Sequence, residues 1–187
     1  ATDAAAPLVL NGEALALEAI ELDGRSLDTS DYTLTPEHLT IAHVPPAFTL
    51  KTVCRIKPQE NTTLSGFYAS KDGFFTQCEA EGFRRITYFL DRPDVMAVYT
   101  TRIEADRAEA PVLLANGNLV ESGDLPGGRH FAVWHDPFPK PSYLFAMVGG
   151  ALAHIEDRFV TMSGRAVALR IYCEPGKESR CGYAMDS

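Results

Sequence analysis

Gln77, Glu79 and Glu81 alternate along the run Gln77-Cys78-Glu79-Ala80-Glu81. Successive side chains of an extended chain point to opposite faces, so the spacing predicts these three on one side. Two carboxylates and an amide on one face make an acceptor-rich patch, suited to gripping an ammonium group through charge-assisted hydrogen bonds. Arg84 and Arg85 follow closely and can neutralise part of that patch. The plainer reading of the same spacing is a surface strand laced with ordinary ion pairs. The planar guanidinium forks of Arg84, Arg85 and Arg92 also suit tying loops to carboxylates, with Glu81, Asp91 and Asp94 as available partners.

Other chemistries find less support. A helical zinc-peptidase site needs H-E-x-x-H, so that two imidazoles one turn apart reach one ion. The histidines are His38, His43, His130, His135 and His154, and none stands four residues from another. His130 and His135, five apart on an expected strand, fall on opposite faces. There is no G-x-S-x-G elbow, no G-x-G-x-x-G and no P-loop. No catalytic residue and no metal ligand is therefore assigned within this chain. Cys54, Cys78, Cys173 and Cys181 include no C-x-x-C pair. In a chain this long they read as free thiols of a reducing, cytoplasmic compartment, although Cys173 and Cys181 are close enough in sequence to bridge. A cysteine-dependent enzyme would require one of them to be unusually reactive.

The elements that must position these groups read as short strands. Phe48, Leu50, Thr52, Cys54 and Ile56 share one face, while Lys51, Val53, Arg55 and Lys57 share the other, which is the pattern of a half-buried strand. Leu15 and Leu17 are out of phase with Ile20 and Leu22, so a bulge or tight turn is expected near Glu18 and Ala19, with a turn following at Asp23-Gly24. Further strands are expected over residues 32–34, 39–42, 97–104, 112–115, 129–135, 142–148, 151–155 and 166–173. Asn116-Gly117-Asn118, Pro126-Gly127-Gly128, Gly149-Gly150 and Ser163-Gly164 carry hairpin-type turn chemistry. Residues 91–96 suit a single helical turn, with Pro93 early in it, and residues 180–187 suit the start of a helix. The rigid stretch of residues 134–141 has three prolines in five residues, the pattern of a turn fixed beside a core. The sum is an all-β domain of mostly antiparallel strands, in a multi-sheet, saddle-like or sandwich arrangement with little helix.

The 187 residues suit one large domain or two small ones, with 25 acidic against 17 basic side chains and a net charge of −8. That balance disfavours nucleic acid, whose phosphates call for a basic face. The longest apolar stretch, residues 143–153, is shorter than the roughly 20 residues that span a bilayer, so no membrane association is expected. Residues 1–7, small and acidic, do not read as a secretory leader.

The stretch of residues 76–95, Thr-Gln-Cys-Glu-Ala-Glu-Gly-Phe-Arg-Arg-Ile-Thr-Tyr-Phe-Leu-Asp-Arg-Pro-Asp-Val, resembles a signature of the bacterial alanyl aminopeptidase (aminopeptidase N) family of thermolysin-like zinc metallopeptidases. Asn116-Gly117-Asn118-Leu119, Gly127-Gly128-Arg129-His130, residues 134–146, Asp157-Arg158-Phe159 and Ser163-Gly164-Arg165 are similar to the same family. The resemblance implies a single N-terminal β domain over residues 1–187, trimmed at both ends, with the catalytic zinc domain following Ser187. It implies that Glu79 helps bind the free α-amino group of a peptide substrate and that Gln77 lines the pocket for the first side chain. Zinc would then be the parent's cofactor, held outside this chain, and the chain alone would be inactive. The alternative is a stand-alone β-sandwich module that binds peptides or proteins. An H-E-x-x-H encoded beyond residue 187 separates the two.

Overall fold

A computed structural model describes residues 6–187, so most of the leader reading at residues 1–7 lies outside the described residues. In chain order the strands are β1 (Leu8–Asn11), β2 (Ala16–Leu22), β3 (Arg25–Ser26), β4 (Tyr32–Leu34), β5 (His38–Ile41) and β6 (Leu50–Arg55). They continue with β7 (Gly66–Ser70), β8 (Gly73–Gln77), β9 (Ala97–Asp106), β10 (Val112–Ala115) and β11 (Asn118–Leu125). The last are β12 (Arg129–Lys140), β13 (Met147–Gly150), β14 (Ala153–Val160) and β15 (Ala166–Cys173), before one short helix, α1 (Gly182–Asp186). All pairings are antiparallel. The sheets are β1-β5-β4, β3-β2-β6, β10-β13-β8-β7, β11-β12-β9 and the hairpin β14-β15. The expected all-β, multi-sheet class is what forms.

Alternation of polarity accounts for the strands that face water on one side. Along β6 and β9 every second residue is half-buried and its neighbour exposed. The phase slip in β2 is a bulge: Leu17 faces Cys54 but Ala19 faces Val53, leaving Glu18 as the extra residue. Leu10, Ile20, Leu27, Leu39, Ile41 and Tyr88 form the main core between the first two sheets. A smaller core of Ala110, Leu113 and Ala132 joins β10 to β12.

Several expectations need correction. Residues 142–148 are not one strand: Ser142–Leu144 is a 3-10 turn and β13 begins at Met147, because Ser142 is buried to meet a carboxylate described below. Gly149 and Gly150 are not a turn but the end of β13. A Cβ on Gly150 would stand 2.5 Å from the Asp72 carbonyl oxygen, so glycine is there for close strand approach. Asn116-Gly117 does turn, with Gly117 at φ +88°, yet it joins no hairpin: β10 pairs with β13 and β11 pairs with β12. Residues 91–96 contain a β-turn closed by Val95 N–H to Arg92 C=O (3.2 Å), not a helical turn. The prolines at 137 and 139 lie inside β12, where its register with β9 slips between Asp136 and Lys140. The turns at Asp23-Gly24, Pro126-Gly127-Gly128 and Ser163-Gly164 connect hairpins, and α1 forms within residues 180–187. The strands β1, β3, β7, β8 and β11 lie outside those expected from the sequence.

Candidate functional site

The acceptor patch is built at the end of β8. Gln77 is the last residue of that strand, and the chain then folds back over residues 78–82, closed by Gly82 N–H to Cys78 C=O at 2.8 Å. The extended arrangement expected for Gln77, Glu79 and Glu81 therefore does not persist beyond Gln77. Two forces turn the chain. Cys78 is buried at 3% exposure, and Gly82 fits where any larger residue would not: a Cβ there would lie 2.3 Å from the Gln77 carbonyl oxygen. The Glu79–Ala80 peptide is cis.

Gln77 and Glu79 remain together in this turn. The Gln77 Nε2 amide donates to the Glu79 carbonyl oxygen at 3.3 Å, and both side chains are exposed. Glu81 does not join them. Its carboxylate pairs with Arg84 Nη2 at 3.2 Å. Arg85 pairs with Glu13 of the β1–β2 connection. Among the described residues Glu79 has no cationic partner.

Beneath the turn lies a network whose centre is Asp91, 3% exposed. Its Oδ2 accepts from the backbone N–H of Arg84 (3.1 Å) and from Arg84 Nε (3.0 Å), and its carbonyl accepts from Arg84 Nη2 (3.1 Å). Its Oδ1 accepts from the Ser142 hydroxyl, while its own N–H donates to Asn11 Oδ1 at 3.3 Å. The Phe83–Arg85 turn thus sits between the acceptor patch above and the carboxylate below. Phe83 anchors it in an aromatic cluster, meeting Phe89 and Phe145 edge-on at 5.0 Å between centroids and Tyr99 at 6.0 Å. The sequence marked Asp91 as an arginine partner. It held no signal for Ser142 or Asn11, which lie 51 and 80 residues away.

Burial, and then the Asp91 charge, push the Cys78 thiol up to about 12. Burial, Asp91 and Cys78 likewise raise the Tyr99 phenol to about 12. Burial also raises Cys54, and for Cys173 burial leads, followed by its hydrogen bond with Cys181. None of these three thiols trends toward a thiolate at neutral pH, so a cysteine nucleophile gains no support. His130 is buried with Nε2 against the Ala110 carbonyl (2.7 Å), and His135 Nδ1 meets Thr100 Oγ1 (2.9 Å). Among the described residues no three His, Cys, Asp or Glu side chains converge on a point that would hold a metal ion. No helix among them is long and apolar enough to cross a membrane.

The profile of the peptidase M1 N-terminal domain matches residues 8–144. The chain is 59% identical over 181 residues to aminopeptidase N of Caulobacter vibrioides and 49% identical over 185 residues to that of Escherichia coli, in each case covering 97% of this chain. It spans 21% of the length of each of these curated relatives. The crystal structure of Legionella pneumophila aminopeptidase A in complex with aspartic acid superposes with a TM-score of 0.91 at 39% identity, over 96% of this chain and 21% of that one. A mutant M1 zinc metallopeptidase from Deinococcus radiodurans bound to a Tyr-Ser-Ala substrate shares the fold, with a TM-score of 0.77 at 17% identity, over 94% of this chain and 41% of that one. With a profile match across most of its length and these relatives alongside, the chain belongs to the peptidase M1 N-terminal domain family.

Proposed function

We propose that this chain is the N-terminal β domain of a cytoplasmic zinc aminopeptidase that removes N-terminal amino acids from peptides, and that it supplies recognition of the substrate's α-amino group to the active-site cleft. The observation that carries this reading is Glu79: an exposed carboxylate on a tightly held turn, left without a cation among the described residues while Glu81 and Glu13 are each committed to an arginine. A peptide's terminal ammonium fits such a carboxylate, because a charged donor meeting a charged acceptor makes the stronger class of hydrogen bond. Gln77 stands beside it and lines the space for the first side chain. Among the described residues no zinc site assembles. Zinc, which activates water in enzymes of this kind, would be held by the parent's catalytic domain.

The test is Glu79→Gln in the full-length enzyme. Losing a hydrogen bond between charged groups weakens binding by roughly 1.5–3 kcal/mol, so kcat/KM for an aminoacyl substrate falls by about ten- to a hundredfold. Unchanged kinetics would remove Glu79 from the role.

A further inference from the structure

A cavity of about 310 Å³ opens where the β3-β2-β6 sheet meets the start of β7. Arg55, Lys57 and Arg85 line it, together with the apolar groups of Ala16, Ile56 and Phe67. Local chemistry fixes its walls. Asn61 Nδ2 donates to the carbonyls of Ser65 (2.8 Å) and Phe67 (2.9 Å), and Asn61 Oδ1 accepts from the Thr63 N–H (3.0 Å), which ties down the loop entering β7. Gly66, at φ +76°, makes room for the arginine: a Cβ there would stand 2.6 Å from Arg85 Cβ.

Each cation has one carboxylate, and each arginine has N–H groups to spare. Arg55 meets Glu18 through Nε (2.6 Å), Lys57 meets Glu60 (2.9 Å) and Arg85 meets Glu13 through Nη1. Both Nη groups of Arg55 and the Nη2 of Arg85 find no acceptor among the described residues. Arg85 Nε is shut off from water and has no acceptor either. Buried donors are nearly always paired, and an exception points to a missing partner such as water or an ion.

We propose that the cavity binds a small monocarboxylate with an apolar body. The carboxylate bridges the free Nη groups of Arg55 and Arg85, which suit planar two-oxygen recognition. Its charge offsets the part of the Arg85 guanidinium that has no acceptor. The body lies on Ile56 and Phe67. Charge selects a single negative unit. Three carboxylates already match three cations around the cavity, so a multiply charged anion such as phosphate meets repulsion that a monoanion largely escapes. Size selects a small ligand, since the volume stands at the low end of the roughly 300–1,000 Å³ of small-molecule sites. The site is independent of the role proposed for Glu79, which takes a cation.

The probe is N-acetyl-L-leucine, a singly charged acid with an apolar side chain and no ammonium for Glu79 to hold. Its binding to the full-length protein carrying this sequence is measured by titration calorimetry, beside N-acetyl-L-leucinamide and inorganic phosphate. The acid binds saturably, and the amide, which cannot make the charge-assisted bonds, binds at least about tenfold more weakly. Ala16→Phe fills the cavity from an exposed position opposite Arg55 and abolishes binding. Arg55→Gln, a change at an exposed side chain, weakens binding about tenfold and decides the matter should Ala16→Phe not fold. No saturable binding of the acid overturns the proposal. An amide that binds as well as the acid overturns it too, as does phosphate binding as tightly as the acid. Acid binding that Arg55→Gln leaves unchanged places the acid at another site and also overturns it.

Discussion

Replacing Asp91 with alanine strips the acceptor from two Arg84 N–H groups and from the Ser142 hydroxyl at once. The surviving guanidinium would then sit part-buried beside no counter-charge except Glu81, which is itself largely exposed. Removing one partner of a buried pair costs several kcal/mol. Water reaches part of Arg84, so about 3 kcal/mol is expected for Asp91→Ala in equilibrium denaturant unfolding. A loss below about 1 kcal/mol would show that the network contributes little. Cys78 gives a pH prediction of known sign. Its folded-state value of about 12 stands above its ordinary 9.0, so its contribution to stability is complete below pH 9 and disappears as pH climbs toward 12. Tyr99 acts in the same direction, from 10.0 toward about 12. Melting temperature should fall across that range, and more shallowly in Cys78→Ala; parallel curves would contradict the assignment.

At the scale of elements, glycine positions the patch. Gly82→Ala would drive a Cβ to 2.3 Å from the Gln77 carbonyl oxygen and 2.9 Å from Cys78 Cα, both backbone atoms with little room to yield. The turn over residues 78–82 would open, and the expected readout in the full-length enzyme is a KM increase resembling that of Glu79→Gln, together with some loss of stability. Wild-type kinetics would mean that the turn does not set the patch. What the sequence made legible follows from solvent. β6 and β9 announce themselves because one face is wet and the other dry. β7 and β8 are half-buried along most of their length, with Phe67, Tyr68, Phe74 and Phe75 spread over both faces, so no alternation marks them. Type and spacing single out Gln77 and Glu79, and the structure leaves both exposed on one turn. The fold-back that parts Glu81 from them was not legible, since it rests on the burial of Cys78 and the close backbone approach at Gly82, which alternation of residue types does not encode.

At the scale of the whole molecule, the proposed division of labour gives this chain the grip on a substrate and leaves its cleavage to the parent's catalytic domain. Purified alone, it should contain no stoichiometric zinc by elemental analysis and should release no product from aminoacyl substrates. Zinc at one equivalent together with turnover would sink the division of labour proposed above. The meeting of Asn11, Arg84, Asp91 and Ser142 also sets a schedule. The acceptor turn rests on contacts that close loops of 80 and 51 residues, and such closures are entropically late events in folding. On a ribosome, the strand that ends in Gln77 emerges well before Ser142 does, so the Asp91 node stays incomplete until most of the domain has been made. Substitutions at Asp91 should therefore hasten unfolding and leave the refolding rate almost untouched, the signature of contacts that form after the rate-limiting barrier. On that schedule the acceptor turn is expected to be among the last parts of the domain to take shape and among the first to let go.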